Sequence, residues 1–303
     1  MTRPGLAASA ARGRRWRARD VRGRCGVSEF DDDPALLGRA FRKGTVDDPS
    51  VQQMVRILDV QDQAPAIRRL RDWAITMADL RPGETVADIG SGTGTVCREL
   101  AGLVGATGRV TGVEPNPTMR AVAEERTVRE DVRYVDGSTE ALPFDEAALD
   151  LLWCERVLQH VDDPQVAFHE FARVLRRGGR AVVLDSDHAT WVHSDIDPDV
   201  EEAIGRSFRG QVANPASARN IPRQAMTAGF AIEPDVGSAA LVFPPRLLLE
   251  APLMRMNADQ AVRDGRITAE QADAAVASQH AAARAGWAFS AVTVFGFLLR
   301  KPA

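Results

Sequence analysis

The sequence predicts an α/β fold, a Rossmann-like seven-stranded, mostly parallel sheet with helices on both faces, N-terminal helices and a helical insertion before the last strand. Three observations support this fold class. From about residue 46 onward, short runs rich in β-branched residues alternate with segments of helical periodicity. A glycine-rich loop ends the stretch VADIGSGTGT (86–95). The chain has 303 residues, enough for one large α/β domain with additions.

The chain begins its regular pattern with two predicted helices, over 48–58 and 65–80. Apolar residues share one face of the second helix at helical spacing: Ile67, Leu70, Ala74 and Met77. Pro65 suits its first turn, and the Arg-Pro-Gly sequence at 81–83 ends it.

Strands and helices then alternate through the middle of the chain. We predict strands over 84–90, 108–115, 132–137, 149–158 (running into a short helix) and 180–187. We predict helices over 94–103, 117–127 and 162–179. Asp162 or Asp163 can cap the last of these helices, Pro164 suits its first turn, and Gly178 and Gly179 close it. This alternation indicates a mostly parallel sheet covered on both faces.

The last part of the chain has a different pattern. A sixth strand is predicted over 230–243 and a final one over 286–302. The segment between them, 244–285, is predicted as a helical insertion, with helices over about 245–256 and 268–285. Thr268 and Gln271 match a capping box at the start of the second helix. Such an insertion is able to cover a site and contact substrate, although helical filler fits its sequence equally.

Composition and charge narrow the class of protein. The formal net charge of −4 and a pI near 5.8 give no indication of a nucleic-acid partner. Three widely spaced cysteines, Cys25, Cys97 and Cys154, argue against a disulfide framework or a metal site and suit a reducing cytoplasm. No apolar stretch approaches the roughly 20 residues of a membrane span. We therefore expect a cytoplasmic protein, monomeric or homodimeric, with a small-molecule partner.

The first 24 residues differ from the rest, since they carry eight arginines and one acid, Asp20. This segment has too few apolar residues to fold alone, so we predict an Arg-rich disordered extension over 1–45 and one domain over 46–303. A nucleic-acid or membrane-surface arm and an organellar targeting peptide are the alternative interpretations.

The glycine loop indicates a nucleotide-containing ligand, because backbone without side chains can approach one closely. Glu114 stands 20 positions after Gly94, where an acid meets ribose hydroxyl groups in such folds. Two features disfavour a dinucleotide. Thr95 replaces the third glycine of the G-x-G-x-x-G pattern, and Asp88 would place a carboxylate near a pyrophosphate. S-adenosylmethionine has no phosphate and carries positive charges, so Asp88 suits it.

Five motifs in order resemble the class I S-adenosylmethionine-dependent methyltransferases of the ubiquinone/menaquinone-biosynthesis-like group, close to their small-molecule members. The motifs are VADIGSGTGT, GVEPN, DGSTEALPF, LDLLWCERVLQHVDDP and RVLRRGGRAVVLD. The resemblance covers roughly residues 50–301. It implies S-adenosyl-L-methionine as cofactor.

The resemblance also implies which positions contact the cofactor. The loop around the methionine moiety matches Asp88, Gly90, Ser91, Gly92 and Gly94. Glu114 matches the acid that binds both ribose hydroxyls, with Pro115 and Asn116 beside the adenine. The third-strand motif supplies Gly137, Ser138 and Thr139, with Ser138 where relatives have an aspartate that holds the adenine amino group. Beside the methionine end the resemblance places Cys154, Glu155 and Arg156.

Two histidines and an aspartate are candidate catalytic residues on the acceptor side. His160 lies one helical turn from Arg156 in a predicted short helix, and its imidazole titrates near neutral pH. Asp187 and His188 leave the fifth strand at its carboxyl end, where ligands bind in such sheets. Each histidine also fits a purely structural role. Three tryptophans are candidates for stacking on an aromatic acceptor, or for ordinary packing: Trp73, Trp191 and Trp287.

The sequence therefore predicts a methyltransferase that moves a methyl group by in-line displacement to a small molecule, such as an aromatic or heterocyclic secondary metabolite. The alternatives are an NAD(P)-dependent oxidoreductase on the same fold class and a non-catalytic S-adenosylmethionine-binding protein. RNA methylation aided by the arginine arm is disfavoured by the acidic net charge.

Overall fold

The computed structural model describes residues 48–251 and 253–303, with side chains from residue 54 onward. The predicted extension over 1–45 lies outside the described residues. Its disorder and the proposed domain boundary remain predictions.

The described residues form one eight-stranded sheet with the order β3-β2-β1-β4-β5-β8-β6, and β7 also pairs with β8. The strands are β1 (Thr85–Ile89), β2 (Arg109–Val113), β3 (Val132–Val135), β4 (Leu149–Glu155), β5 (Leu175–His193), β6 (Ala231–Ile232), β7 (Gly237–Val242) and β8 (Ser290–Arg300). Strands β1 to β5 are parallel to their neighbours, whereas β8 runs antiparallel to β5. The mostly parallel, Rossmann-like prediction is confirmed.

The sheet has one strand more than predicted, because the segment 230–243 forms two strands instead of one. Ala231 pairs with Arg300 and Gly237 with Gly296, so β6 and β7 lie at different places along β8. Pro234 lies between them and has no N–H group to continue a hydrogen-bond ladder.

Helices cover both faces of the sheet. They are α1 (Asp48–Asp62), α2 (Pro65–Ala78), α3 (Thr95–Val104), α4 (Pro117–Glu125), α5 (Pro164–Val174), α6 (Pro198–Arg209), α7 (Ser217–Thr227), α8 (Pro245–Glu250), α9 (Leu253–Arg263) and α10 (Ala269–Ala285). The sequence analysis missed α6 and α7, although Asp197 caps α6 and Pro198 occupies its first turn. The predicted insertion is helical, and its capping box between Thr268 and Gln271 is present.

The core has two layers, one on each side of the sheet. Along β4, Leu151 and Trp153 face one layer, and Leu152 and Cys154 face the other. Helices α2 and α3 pack on the first layer, and α5 and α7 pack on the second. Because both faces of the parallel strands are buried, their sequences are nearly continuous apolar runs.

The insertion packs mainly on α6. Val200 and Ile204 of α6 are buried together with Met254 and Ala258 of α9 and Ala275 of α10. This third cluster fixes α6 and α9, two of the elements that reach the site described below.

Candidate cofactor and acceptor site

One cavity opens at the carboxyl ends of β1, β2 and β4, where the glycine loop follows β1. Gly90 and Gly94 have φ angles of 72° and 75°, in the left-handed region that side chains rarely adopt. A side chain at residue 90 would overlap Val157, and one at residue 94 would overlap the Tyr134 ring. These glycines are therefore required by the turn itself, whatever ligand it holds.

Glu114 follows β2 directly and is 7% exposed. Its Oε2 accepts a hydrogen bond from the Gly92 amide at 3.0 Å, and its Oε1 accepts one from the Asn116 amide at 2.9 Å. Burial raises the pKa of this carboxyl, while the two amide donors counteract the shift. The carboxylate is thus held at the glycine loop, where the sequence analysis expected a ribose-binding acid.

Asp88 lies in β1 and lines the same cavity. Its carboxyl is buried and accepts a hydrogen bond from the Cys97 thiol at 3.3 Å. Burial raises the pKa of Asp88 to about 7, and the nearby carboxylates of Glu155 and Asp62 act in the same direction. A cation beside Asp88 would therefore stabilise its ionised form.

A buried ion-pair network joins α1 and α2 to the end of β4. The Arg71 Nε and Nη2 atoms donate to the two carboxylate oxygens of Glu155 at 2.8 and 2.9 Å. Nη2 also donates to Asp62 at 2.7 Å, and Arg156 donates to the same Asp62 oxygen at 3.0 Å. Despite the opposing effect of burial, Glu155 and Asp62 raise the pKa of Arg71, and the two arginines lower the pKa of Asp62.

Arg71 has one donor left over. Its Nη1 atom is buried and has no hydrogen-bond partner within the described part of the chain. A buried donor without a partner costs about 1–3 kcal/mol, which a ligand acceptor would recover. The sequence analysis missed Arg71 and Asp62. The available signal was an arginine one helical turn after Ile67, on the apolar face of α2.

The other end of the cavity is lined by rings and aliphatic side chains. The ring centroids of Trp191 and Phe208 are 4.6 Å apart, and those of His188 and Phe208 are 5.1 Å apart. Phe243 lies 6.2 Å from Trp191. Aliphatic residues complete this end: Val212, Leu241, Leu253 and Val292. We call it the aromatic end, and the part around Glu114 and Asp88 the loop end.

His188 is held by Gln159 at the aromatic end. The Gln159 amide nitrogen donates to the Arg156 carbonyl at 3.0 Å, which turns its oxygen towards the imidazole. The His188 Nε2 atom lies 2.7 Å from that oxygen, so this network assigns the proton to Nε2. Burial lowers the pKa of His188 to about 4, which leaves the ring uncharged at neutral pH.

Ten of the predicted site residues line the cavity, and seven do not. Those that line it are Asp88, Gly90, Ser91, Gly92, Glu114, Pro115, Glu155, Arg156, His160 and His188. Those that do not are Gly94, Asn116, Gly137, Ser138, Thr139, Cys154 and Asp187. Contacts of Gly137, Ser138 and Thr139 with an adenine remain predictions.

Three of these side chains have other surroundings in the structure. The Asn116 side chain caps α4, accepting from the Thr118 and Met119 amides. Cys154 is fully buried in the core, because its side chain points to the face of β4 opposite Trp153.

Asp187 is the third, since its carboxylate does not face the cavity. Side chains alternate along β5, so Ser186 and His188 line the cavity while Asp187 pairs with Arg219. The structure therefore does not bring the Asp187 carboxylate to the cavity, and its catalytic role stays a prediction.

The segment after β4 also differs from the prediction. Arg156 adopts a φ of 57° and precedes a single 3₁₀ turn, Leu158–His160, so it does not share a helix with His160. Of the three tryptophans, only Trp191 lines the cavity. Trp73 donates to Asp235 at 3.0 Å, and Trp287 is 66% exposed.

The described ranges, 48–251 and 253–303, contain neither a candidate metal site nor a candidate membrane-spanning helix. No group of three or more His, Cys, Asp or Glu side chains there is arranged to hold a metal ion. No helix in those ranges is long and apolar enough to span a membrane.

Comparisons with known proteins agree with this geometry. A family model described as a methyltransferase domain matches residues 87–183. An uncharacterised 37.1 kDa protein of transposon TN4556 from Streptomyces fradiae is 34% identical over 272 residues, which cover 86% of this chain and 73% of that protein. The ubiquinone/menaquinone biosynthesis C-methyltransferase UbiE of Enterobacter sp. (strain 638) is 35% identical over 124 residues, 39% of this chain.

The match to that C-methyltransferase spans about half its length, 49%. A solved structure of a putative methyltransferase from Bacillus halodurans shares the fold, with a TM-score of 0.54 and 19% identity, covering 77% of this chain and 98% of that one. The chain belongs to the class I S-adenosylmethionine-dependent methyltransferases, in the UbiE-like group. As a member of this class the protein uses S-adenosylmethionine as cofactor, which removes the oxidoreductase alternative.

Proposed function

We propose that this protein transfers the methyl group of S-adenosylmethionine to a small-molecule acceptor with a flat, aromatic or heterocyclic reactive part. One observation carries the proposal. A single cavity joins the glycine loop and Glu114 at one end to the rings of Trp191, Phe208 and Phe243 at the other. Methyl donor and acceptor therefore have adjoining binding regions of different chemistry.

The loop end has the charge that the cofactor requires. Among the described lining residues, four are acidic and two are basic: Asp62, Asp88, Glu114 and Glu155, with Arg71 and Arg156. S-adenosylmethionine carries a sulfonium, an ammonium and a carboxylate, a net charge of +1. The excess of carboxylates favours this ligand over a dinucleotide, whose pyrophosphate they would repel.

We assign three contacts to the cofactor at this end. Glu114 binds the ribose hydroxyls, since a buried carboxylate next to a glycine loop suits two hydroxyl donors. Asp88 neutralises the ammonium of the methionine moiety. Arg71 binds the methionine carboxylate through Nη1, the donor without a partner.

The cofactor supplies a methyl group on a positively charged sulfur, so the protein needs to align the acceptor and exclude water. In the transfer, the acceptor's nucleophilic atom forms a bond to the methyl carbon while the carbon–sulfur bond breaks and its electron pair stays on sulfur. The acceptor also loses a proton, which a nearby base takes up and passes to solvent.

His188 is a poor ground-state base for that proton. A pKa of about 4 lies roughly six units below that of a phenol, which corresponds to about 8 kcal/mol of unfavourable transfer. We therefore assign His188 a role in shaping and hydrogen-bonding the acceptor. His160 remains the candidate for proton removal, because it lines the cavity.

The experiment measures the affinity of the wild-type protein for S-adenosylhomocysteine and 5′-methylthioadenosine by calorimetry. The second ligand lacks the amino-acid part and serves as an internal control for the adenosine region. Arg71→Met should weaken S-adenosylhomocysteine about tenfold or more and leave 5′-methylthioadenosine unchanged, because only the first carries a carboxylate. The exposed Arg69→Met on the same helix is the matched control and should change neither.

Two outcomes would contradict the proposal. A wild-type protein that binds neither ligand would overturn the methyltransferase assignment of this site. Equal weakening of both ligands by Arg71→Met would show that Arg71 acts on the structure of the site rather than on the carboxylate.

A further inference from the structure

We propose that Cys97 is a positioning residue for the cofactor, because its thiol holds the Asp88 carboxylate in the ionised form at the cavity. This inference rests on the proposed function, in which Asp88 binds the ammonium of the methionine moiety. Cys97 itself does not line the cavity. It lies in the first turn of α3, directly after the glycine loop, and is fully buried.

A single hydrogen bond inside the core joins the two side chains. The Cys97 thiol donates to Asp88 Oδ2 at 3.3 Å, and no other donor to this carboxylate is found within the described part of the chain. Glu114, by comparison, accepts from two backbone amides. The charge of Asp88 therefore depends on one side-chain donor, which a substitution can remove without changing the backbone.

Cys97 keeps its proton and so remains a donor. Burial raises the pKa of the Cys97 thiol well above its ordinary value, and the Asp88 carboxylate acts in the same direction. The sulfur thus does not compete with Asp88 for the negative charge. Because a charged oxygen is the better acceptor, the hydrogen bond stabilises the ionised form of Asp88 more than the protonated form.

The charged groups around Asp88 oppose one another. Glu155 and Asp62 disfavour a second negative charge, whereas Arg71 favours it. Arg71 is already paired with both of those carboxylates. Three further titratable groups lie near the pair without donating to Asp88: the Tyr134 hydroxyl, the Arg98 guanidinium and the Cys154 thiol. The Cys97 hydrogen bond is therefore the contact that favours the charge without serving another carboxylate.

Removal of the thiol should raise the pH at which Asp88 ionises. The loss of one hydrogen bond to a charged group corresponds to a midpoint about one pH unit higher. Since the ammonium binds the ionised carboxylate, affinity should fall below this midpoint and recover above it. If Cys97 only packed in the core, its removal would weaken binding by the same factor at every pH.

The test measures the affinity for S-adenosylhomocysteine by calorimetry at pH 6, 7, 8 and 9. At pH 6, Cys97→Ala should bind about tenfold more weakly than wild type, and at pH 9 the two should agree within about twofold. Cys97→Ser keeps a donor of similar size, so it should stay within about twofold of wild type at every pH. Thermal melts check that each variant is folded.

Two controls separate the hydrogen bond from packing. Val104 is fully buried in the same helix and core layer and does not line the cavity, so Val104→Ala should change the affinity less than about twofold at every pH. In the Asp88→Asn background, Cys97→Ala should also change the affinity less than about twofold, because no charge is left to stabilise.

The proposed function and this inference fail separately. If the wild type does not bind S-adenosylhomocysteine, or Asp88→Asn binds it as tightly as the wild type, the assignment of Asp88 in the proposed function fails. If binding depends on Asp88 but Cys97→Ala weakens it by the same factor at pH 6 and pH 9, or not at all, only the inference about Cys97 is overturned.

Discussion

The two ends of the cavity are built in different ways. The loop end combines two short motifs, 86–95 and 114–116, with charged side chains from α1, α2 and the end of β4. The aromatic end collects uncharged side chains from β5, α6, β7, α9 and β8, which are far apart in the chain. The glycine turn and Glu114 at the loop end therefore depend on local sequence, whereas the Arg71–Glu155 contact beside them and the whole aromatic end depend on tertiary packing.

This difference has an energetic consequence. Polar groups at the loop end are fixed by neighbouring backbone, as Glu114 is by the amides of Gly92 and Asn116. Side chains at the aromatic end are fixed by packing, where volume-conserving changes usually cost less than about 1.5 kcal/mol. We expect substitutions at the loop end to affect folding and cofactor binding strongly, and those at the aromatic end to affect acceptor choice.

The largest effect is expected from a side chain in the glycine turn. Gly94→Ala places a Cβ atom at a φ of 75° and against the Tyr134 ring. Backbone strain and overpacking together should lower the free energy of unfolding by about 2–4 kcal/mol. Urea denaturation measures this change in the free energy of unfolding.

Two controls define that result. Gly102 lies inside α3 with nothing near its missing side chain, so Gly102→Ala should stabilise the protein by about 0.5–1 kcal/mol. Phe208→Leu at the aromatic end should cost clearly less than Gly94→Ala. If Gly94→Ala and Phe208→Leu lowered the free energy of unfolding equally, the distinction between the two ends would be contradicted.

The next effect concerns cofactor affinity. Glu114→Ala removes the carboxylate assigned to two ribose hydroxyls, so affinity for S-adenosylhomocysteine should fall about 100-fold, equivalent to about 3 kcal/mol. Calorimetry measures the change, and a thermal melt checks that the variant is folded. Phe243→Leu at the aromatic end should stay within about twofold of wild type. If Phe243→Leu lowered the affinity for S-adenosylhomocysteine more than Glu114→Ala did, the cofactor would be bound mainly at the aromatic end, which contradicts the assignment.

A smaller effect should appear in the pH dependence of cofactor binding. The pKa of Asp88 is raised to about 7, and its ionised form is the one that attracts a cation. Affinity for S-adenosylhomocysteine should therefore rise about tenfold between pH 6 and pH 8 in the wild type. Asp88→Asn should bind weakly and show a flat profile over the same range.

The stability of the unliganded protein should fall as the pH rises, whereas its affinity for the cofactor should increase. Asp88 binds its proton more tightly when folded than when unfolded, since its ordinary pKa is 3.8. Relative to Asp88→Asn, the wild type should thus lose stability as pH rises from about 4 to 7. A constant difference between the two proteins over that range would contradict the raised pKa.

Sequence reasoning located the site residues that belong to short, contiguous motifs. The glycine turn, Glu114 and Asp88 could be predicted because the first two directly follow a strand and Asp88 is the last residue but one of β1, and parallel strands end at one edge of the sheet. Arg71 and Asp62 were missed because their contacts at the site are not local: Arg71 donates to Glu155, 84 positions away, and Asp62 accepts from Arg156, 94 positions away. Asp187 was misassigned because one residue along a strand reverses the face that a side chain occupies.

The most direct test of the central claim is a crystal structure with S-adenosylhomocysteine bound. The account predicts that the ribose hydroxyls lie within hydrogen-bond distance of the Glu114 carboxylate. It also predicts that the sulfur faces the rings of Trp191, Phe208 and Phe243, with the amino-acid part beside Asp88 and Arg71. Adenosine bound among those rings, or a sulfur that faces away from them, would contradict it.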